Sequence, residues 1–130
     1  MIVADASVVV ELLLGTEMAA RAAARILAPG ESVHVPHLLD VEVAQVVRRY
    51  VMTGVIEARR GEGALADLVD LPLHRHPHAI FLRRAWELRR STSAYDAMYV
   101  ALAEALAAPL LTRDRRLARA HGHRARVEIL

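Results

Sequence analysis

Short apolar runs separated by longer stretches of helical spacing recur along the whole chain, and this alternation constrains the fold more than any other feature. Residues 2 to 4 form the first run, and Ser7 is placed to cap a helix that continues through Val10, Leu13 and Leu14 until Gly15 stops it. An alanine-rich helical stretch covers residues 17 to 28 and ends at Pro29-Gly30. Residues 33 to 35 read as a second strand, and Pro36 suits a helix start, with apolar positions from Leu38 to Val51 and a stop at Gly54. Another helix is expected over residues 57 to 69, whereas residues 71 to 78, which include Pro72 and Pro77, read as a short strand or a loop. Helical spacing returns over residues 80 to 90 and 94 to 107. Residues 110 to 112 are a strand, residues 115 to 120 a turn or two of helix, and residues 127 to 130 a closing strand. Such alternation predicts an α/β fold of three layers, a mostly parallel central sheet flanked by helices. A chain of 130 residues can bury one core, so a single domain spanning residues 1 to 130 is expected.

Ligands of a parallel sheet gather beyond the carboxyl ends of its strands, where loops from several strands converge. Asp5 directly follows the first strand, and Asp114 follows residues 110 to 112 by one position. Asp96 lies in the first turn of the helix opened near Ser93. Glu42 interrupts a mostly apolar stripe, because its neighbours at helical spacing are Leu38, Leu39, Gln45 and Val46. Each acid also has an ordinary structural explanation. Asp5 can open a helix beside Ser7, Asp96 can complete a capping box with Ser93, Asp114 can cap the last helix, and Glu42 can pair with an arginine. Asp40, near a helix start, is explained by the helix dipole.

Convergence of all four would carry a cost. Two unit charges ~5 Å apart repel by about 3 kcal/mol at an effective dielectric constant of ~20. A hard divalent cation relieves this, and oxygen-only donors select Mg²⁺ or Mn²⁺ over zinc. Such a centre activates water and stabilises charge on a phosphodiester undergoing in-line displacement. The chain has no cysteine, which removes disulfides and thiolate chemistry, and all 17 basic residues are arginine, which removes Schiff-base and Walker-type phosphate chemistry. A haloacid-dehalogenase phosphatase would require Asp-x-Asp after the first strand, but Asp5-Ala6-Ser7 stands there.

Four segments carry a family resemblance: Val3-Ala4-Asp5-Ala6-Ser7, the helix start from Pro36 to Glu42, residues 93 to 103 around Tyr95-Asp96-Ala97, and Leu111-Thr112-Arg113-Asp114-Arg115-Arg116-Leu117. In order and spacing, over essentially the whole chain, they resemble the motifs of PIN-domain ribonucleases, in particular the VapC toxins of bacterial toxin–antitoxin pairs. The resemblance implies a PIN fold with Asp5, Glu42, Asp96 and Asp114 as catalytic, metal-binding acids and Ser7 and Thr112 as polar helpers. It further implies an RNA endonuclease, usually homodimeric, silenced by a cognate VapB-type antitoxin whose tail crosses the active-site groove. The additional acid that the family often carries after the last aspartate is replaced here by Arg115, Arg116 and Arg119.

With a formal net charge of +2, a polyanionic partner is compatible with the chain. Arg113, Arg115, Arg116 and Arg119 flank Asp114 and can hold RNA phosphates, whereas Arg48-Arg49 and Arg89-Arg90 read as solvated helix ends. Tyr95 reads as helix packing, with base stacking as the alternative. His74, His76 and His78 alternate, yet Pro77 interrupts them and an exposed loop is expected; His121 and His123 read as turn residues. No membrane span or signal peptide is apparent, so a cytoplasmic location is expected. A catalytically inactive PIN module that binds RNA or protein is the alternative function.

Overall fold

The computed structural model describes all 130 residues. Strands β1 (Ile2–Ala4), β2 (Val33–Pro36), β3 (Leu73–His76), β4 (Leu110–Thr112) and β5 (Val127–Ile129) form one sheet in the order β3-β2-β1-β4-β5. Every neighbouring pair is parallel, so the sheet is parallel throughout. All residues of β1 are buried, as a central strand covered on both faces requires. The connections supply that cover. Helices α1 (Ala6–Leu14), α2 (Ala19–Ile26), α3 (Leu38–Met52) and α4 (Ala58–Asp70) pack on one another, while α5 (Leu82–Glu87) packs on α6 (Ala94–Leu106). The short α7 (Arg115–Arg119) lies against β5. No helix is long and apolar enough to cross a membrane.

Strand order steps outward from β1 to β3 and then returns to the other side of β1 at β4. That reversal opens a crevice beyond the ends of β1 and β4. The register pairs Val3 with Leu110 and Ala4 with Leu111. One position further, the Asp5 amide donates to the Leu111 carbonyl at 3.1 Å, so Asp5 emerges beside Thr112.

Two expectations change. Residues 80 to 90 do not form one helix: a 3-10 turn over Ala79–Phe81 leads into α5, which stops at Glu87. The Leu88 carbonyl then accepts from the Ser91 and Thr92 amides, at 3.0 Å each, closing a turn in place of further helix. Residues 73 to 76 are a strand rather than an exposed loop. Pro72 precedes β3 and Pro77 follows it, so neither removes an amide from the ladder. Pairing His34 with His74 stacks their rings at 4.7 Å, and His34 Nδ1 lies 2.9 Å from His76 Nε2. His78 stands apart, its Nε2 accepting from the Leu38 amide at 2.7 Å at the start of α3.

Close approach of α4 to α3, the helix that carries Glu42, depends on Gly61. A Cβ there would lie 2.9 Å from Val51 Cγ2 and 3.0 Å from Val47 Cγ1. At Gly63, two residues along α4, a Cβ would meet nothing within 4 Å. Thermal or urea unfolding should therefore separate two alanine substitutions of equal helix propensity. Gly63→Ala gains up to about 1 kcal/mol, while Gly61→Ala loses about 1–2 kcal/mol because overpacking outweighs the same gain.

Candidate metal centre

Asp5 has extended backbone geometry and caps α1, its Oδ1 accepting from the Ser7 amide at 2.9 Å and the Val8 amide at 3.3 Å. The capping residue expected from the sequence was Ser7, but Ser7 lies within the first turn of α1 and acts differently. Its hydroxyl donates to Asp5 Oδ1 and accepts from the Arg113 amide at 3.0 Å. On the opposite side, the Thr112 hydroxyl donates to Asp5 Oδ2 and accepts from the Asp114 amide at 2.9 Å. Ser7 and Thr112 thus bridge the ends of β1 and β4. Asp5 is 9% exposed. Burial pushes its carboxyl above the ordinary aspartate range, and the bonds from Ser7, Thr112 and the helix amides offset part of that rise.

Asp114 caps α7, with Oδ1 accepting from the Arg116 amide at 2.8 Å. The Arg116 guanidinium reaches both carboxylate oxygens, at 3.2 and 3.0 Å, and this pairing lowers the Asp114 pKa. Asp96 sits in the first turn of α6, where Ser93 Oγ accepts its amide at 3.1 Å. The cap expected at Ser93 is therefore present, yet the carboxylate of Asp96 lines an open cleft of about 500 Å³ together with Asp114, Arg116 and Arg90. Glu42, half-buried in α3, takes no arginine; it accepts from the Tyr99 hydroxyl. Burial raises its carboxyl, and the charges of Asp96 and Asp5 raise it further. Asp96 is likewise raised by burial and by Asp114.

Glu42 thus feels the charges of Asp5 and Asp96, and Asp96 that of Asp114, while of the four only Asp96 and Asp114 line the cleft. No group of three is set to ligate an ion by itself. Carboxylates that repel one another, with oxygen donors only, fit a hard cation that keeps several waters and takes one or two carboxylates directly.

The arginines divide. Arg113 forms an ion pair with Glu11, and Arg116 pairs with Asp114 in the cleft wall. Arg115 and Arg119 are exposed on α7 and outside the cleft lining. Arg89 and Arg90, read from the sequence as a solvated helix end, line the cleft because α5 stops early; Arg89 rests over the Trp86 ring at 4.7 Å. Tyr95 is 62% exposed rather than packed in the helix interface. Asp40 forms a forked pair with Arg75, at 2.8 and 3.1 Å. Sequence reading missed Glu11 and Tyr99. Glu11 interrupts the apolar run of α1 as Glu42 interrupts α3, and Tyr99 lies one helical step from Asp96.

A raised carboxyl lowers stability only where it must ionise in the fold. Below its ordinary value of 4.5, Glu42 is protonated in both folded and unfolded chains and carries no penalty; the penalty builds as pH rises from there to the raised folded value and is constant above it. In metal-free protein, Glu42→Gln should accordingly raise the melting temperature at pH 7, with the gain shrinking to nothing near pH ~4. A gain independent of pH would remove the electrostatic explanation.

A family model described as PIN domain matches residues 2–122. Ribonuclease VapC12 of Mycobacterium tuberculosis is 43% identical over 130 residues, covering 100% of this chain and 99% of that one. Among solved structures, Mycobacterium tuberculosis VapC20, described as a Sarcin-Ricin loop cleaving toxin, superposes with a TM-score of 0.71 at 17% identity, covering 92% of this chain and 94% of that chain. VapBC2 from Rickettsia felis, bound to a promoter DNA fragment, gives a TM-score of 0.71 at 15% identity over 99% and 98% of the two chains.

Proposed function

The chain belongs to the PIN-domain family and, within it, to the VapC ribonucleases, and we propose that it is a divalent-metal-dependent endoribonuclease acting as the toxin of a toxin–antitoxin pair. The observation that carries this reading is the bonded bridge from Ser7 through Asp5 and Thr112 to Asp114, with the carboxyls of Glu42 and Asp96 close enough to feel the neighbouring acids. Asp5, Glu42, Asp96 and Asp114 would hold Mg²⁺ or Mn²⁺ through carboxylates and waters. Bound there, the cation would polarise a water and offset the charge that builds on the scissile phosphodiester.

The residues of the chain have separable tasks. Asp5 Oδ1 accepts three hydrogen bonds and Oδ2 one, so Oδ2 keeps the lone pair that can face a cation. Thr112 and Ser7 fix that orientation before any ligand arrives. Tyr99 holds Glu42, whose carboxyl is raised by burial, and the group so oriented would take up a proton from a water in the centre. Arg116 and Arg90, in the cleft wall, would position RNA phosphates, with exposed Arg115 and Arg119 on the approach. Such contacts position the strand without reading its bases.

A VapB-type antitoxin is the proposed partner, supported by the VapBC2 relative, and a homodimer in the cytoplasm is the proposed working state. An antitoxin segment laid over Val41 and Tyr95, 69% and 62% exposed beside Glu42, would cover the acids.

Labelled RNA incubated with Mg²⁺ or Mn²⁺ should be cut by the wild type and left intact by Asp5→Asn. Equal cleavage by both proteins, or none by the wild type, would contradict the assignment, the second outcome favouring a PIN module that only binds. Mn²⁺ should also raise the melting temperature of the wild type, by about 2.7 kcal/mol of stabilisation at a hundredfold excess over Kd, and leave that of Asp5→Asn nearly unmoved.

A further inference from the structure

Glu11 is a carboxylate that the proposed chemistry leaves unused, although it is only 6% exposed. A buried charge requires partners, and Glu11 has two. Its Oε1 takes the guanidinium of Arg113, and its Oε2 takes the hydroxyl of Thr16 in the turn after α1. Gly15, with φ of +63°, lets the chain double back so that Thr16 reaches Glu11.

Ser7 and Glu11 lie one helical turn apart on α1 and therefore on one face. That face holds Arg113 twice: Ser7 accepts its amide at 3.0 Å, and Glu11 accepts its side chain. Arg113 separates Thr112, which donates to Asp5, from Asp114, which caps α7. Asp5 itself caps the same helix, α1. Both aspartates are thereby referenced to a single rigid element, one through the helix cap and the other through the Arg113 anchor.

We propose that the Glu11–Arg113 pair is a positioning clamp that sets Asp114 against Asp5, so that Arg113 serves the acidic centre rather than RNA phosphate. This inference rests on the proposed function for its metal readout alone. Partners one step removed from metal ligands alter affinity by about 10–100-fold when lost, and a clamp falls in that class.

The test uses the full-length chain and two readouts. Amide hydrogen exchange in metal-free protein follows Arg113 and Asp114, and calorimetric titration with MnCl₂ gives Kd. Glu11→Gln and Arg113→Gln should each speed exchange at those two amides while the β1 and β4 amides stay protected. Each should weaken Mn²⁺ by roughly tenfold or more, and the double variant should be no worse than the weaker single. Because Arg113→Gln leaves the buried Glu11 carboxylate unpaired and can impair folding, Glu11→Met combined with Arg113→Met replaces the pair by apolar side chains. That variant should remain folded and still show fast exchange at Asp114 and weakened Mn²⁺ binding. Unchanged exchange and unchanged Kd in the folded variants would overturn the clamp. So would loss of RNA affinity in Arg113→Gln, made in an Asp5→Asn background, with exchange unaltered. A wild type that binds no Mn²⁺ would defeat the metal assignment, while exchange would still decide the clamp.

Discussion

A carboxylate at the end of a buried central strand loses most of its water, and the surrounding chain must replace that hydration with hydrogen bonds or suffer a penalty of several kcal/mol. Asp5 stands at this point. The parallel register of β1 and β4 brings Thr112 to one carboxylate oxygen, and the first turn of α1 brings two amides and the Ser7 hydroxyl to the other. Helix, strand and loop are thus tied to one side chain. The same bonds offset its burial only in part, so its carboxyl remains raised. The residual instability is localised where a cation would relieve it.

Charge is arranged around that point in two tiers. Near the crevice, burial raises Asp5, and burial together with the charge of neighbouring acids raises Glu42 and Asp96. At its rim, Arg116 lowers Asp114 and keeps it ionised. Elsewhere the acids follow ordinary structural logic: Glu104 is held by Arg84 at 2.8 and 3.0 Å, and Glu128 by Arg25 at 2.7 and 3.0 Å. These carboxyls are lowered by their partners. The contrast sets Asp5, Glu42 and Asp96 apart as acids held by hydroxyl and amide donors with no arginine salt bridge.

Much of this was legible in the sequence because it rests on periodicity and on chain order. Alternating runs gave the α/β order, and the position of Asp5 directly after a strand placed it at a sheet edge. What remained hidden depends on pairing across the chain. β3 could not be told from a loop until its ladder with β2 showed Pro72 and Pro77 flanking the strand rather than interrupting it. The early stop of α5, which turns Arg90 into the cleft, reflects the turn closed on the Leu88 carbonyl. Glu11 and Arg113 lie far apart in sequence, so their pairing could not be read there and Glu11 was passed over.

The central claim is that acids from β1, α3, α6 and the end of β4 share one hydrated cation. Anomalous diffraction from crystals of the full-length chain grown with MnCl₂ addresses it without reference to catalysis. The account predicts a single strong manganese peak in the crevice, in direct contact with Asp5 Oδ2 and at least one other of the four acids, with waters completing the shell. Manganese bound elsewhere on the molecule, or none in the crevice at millimolar concentration, would contradict it.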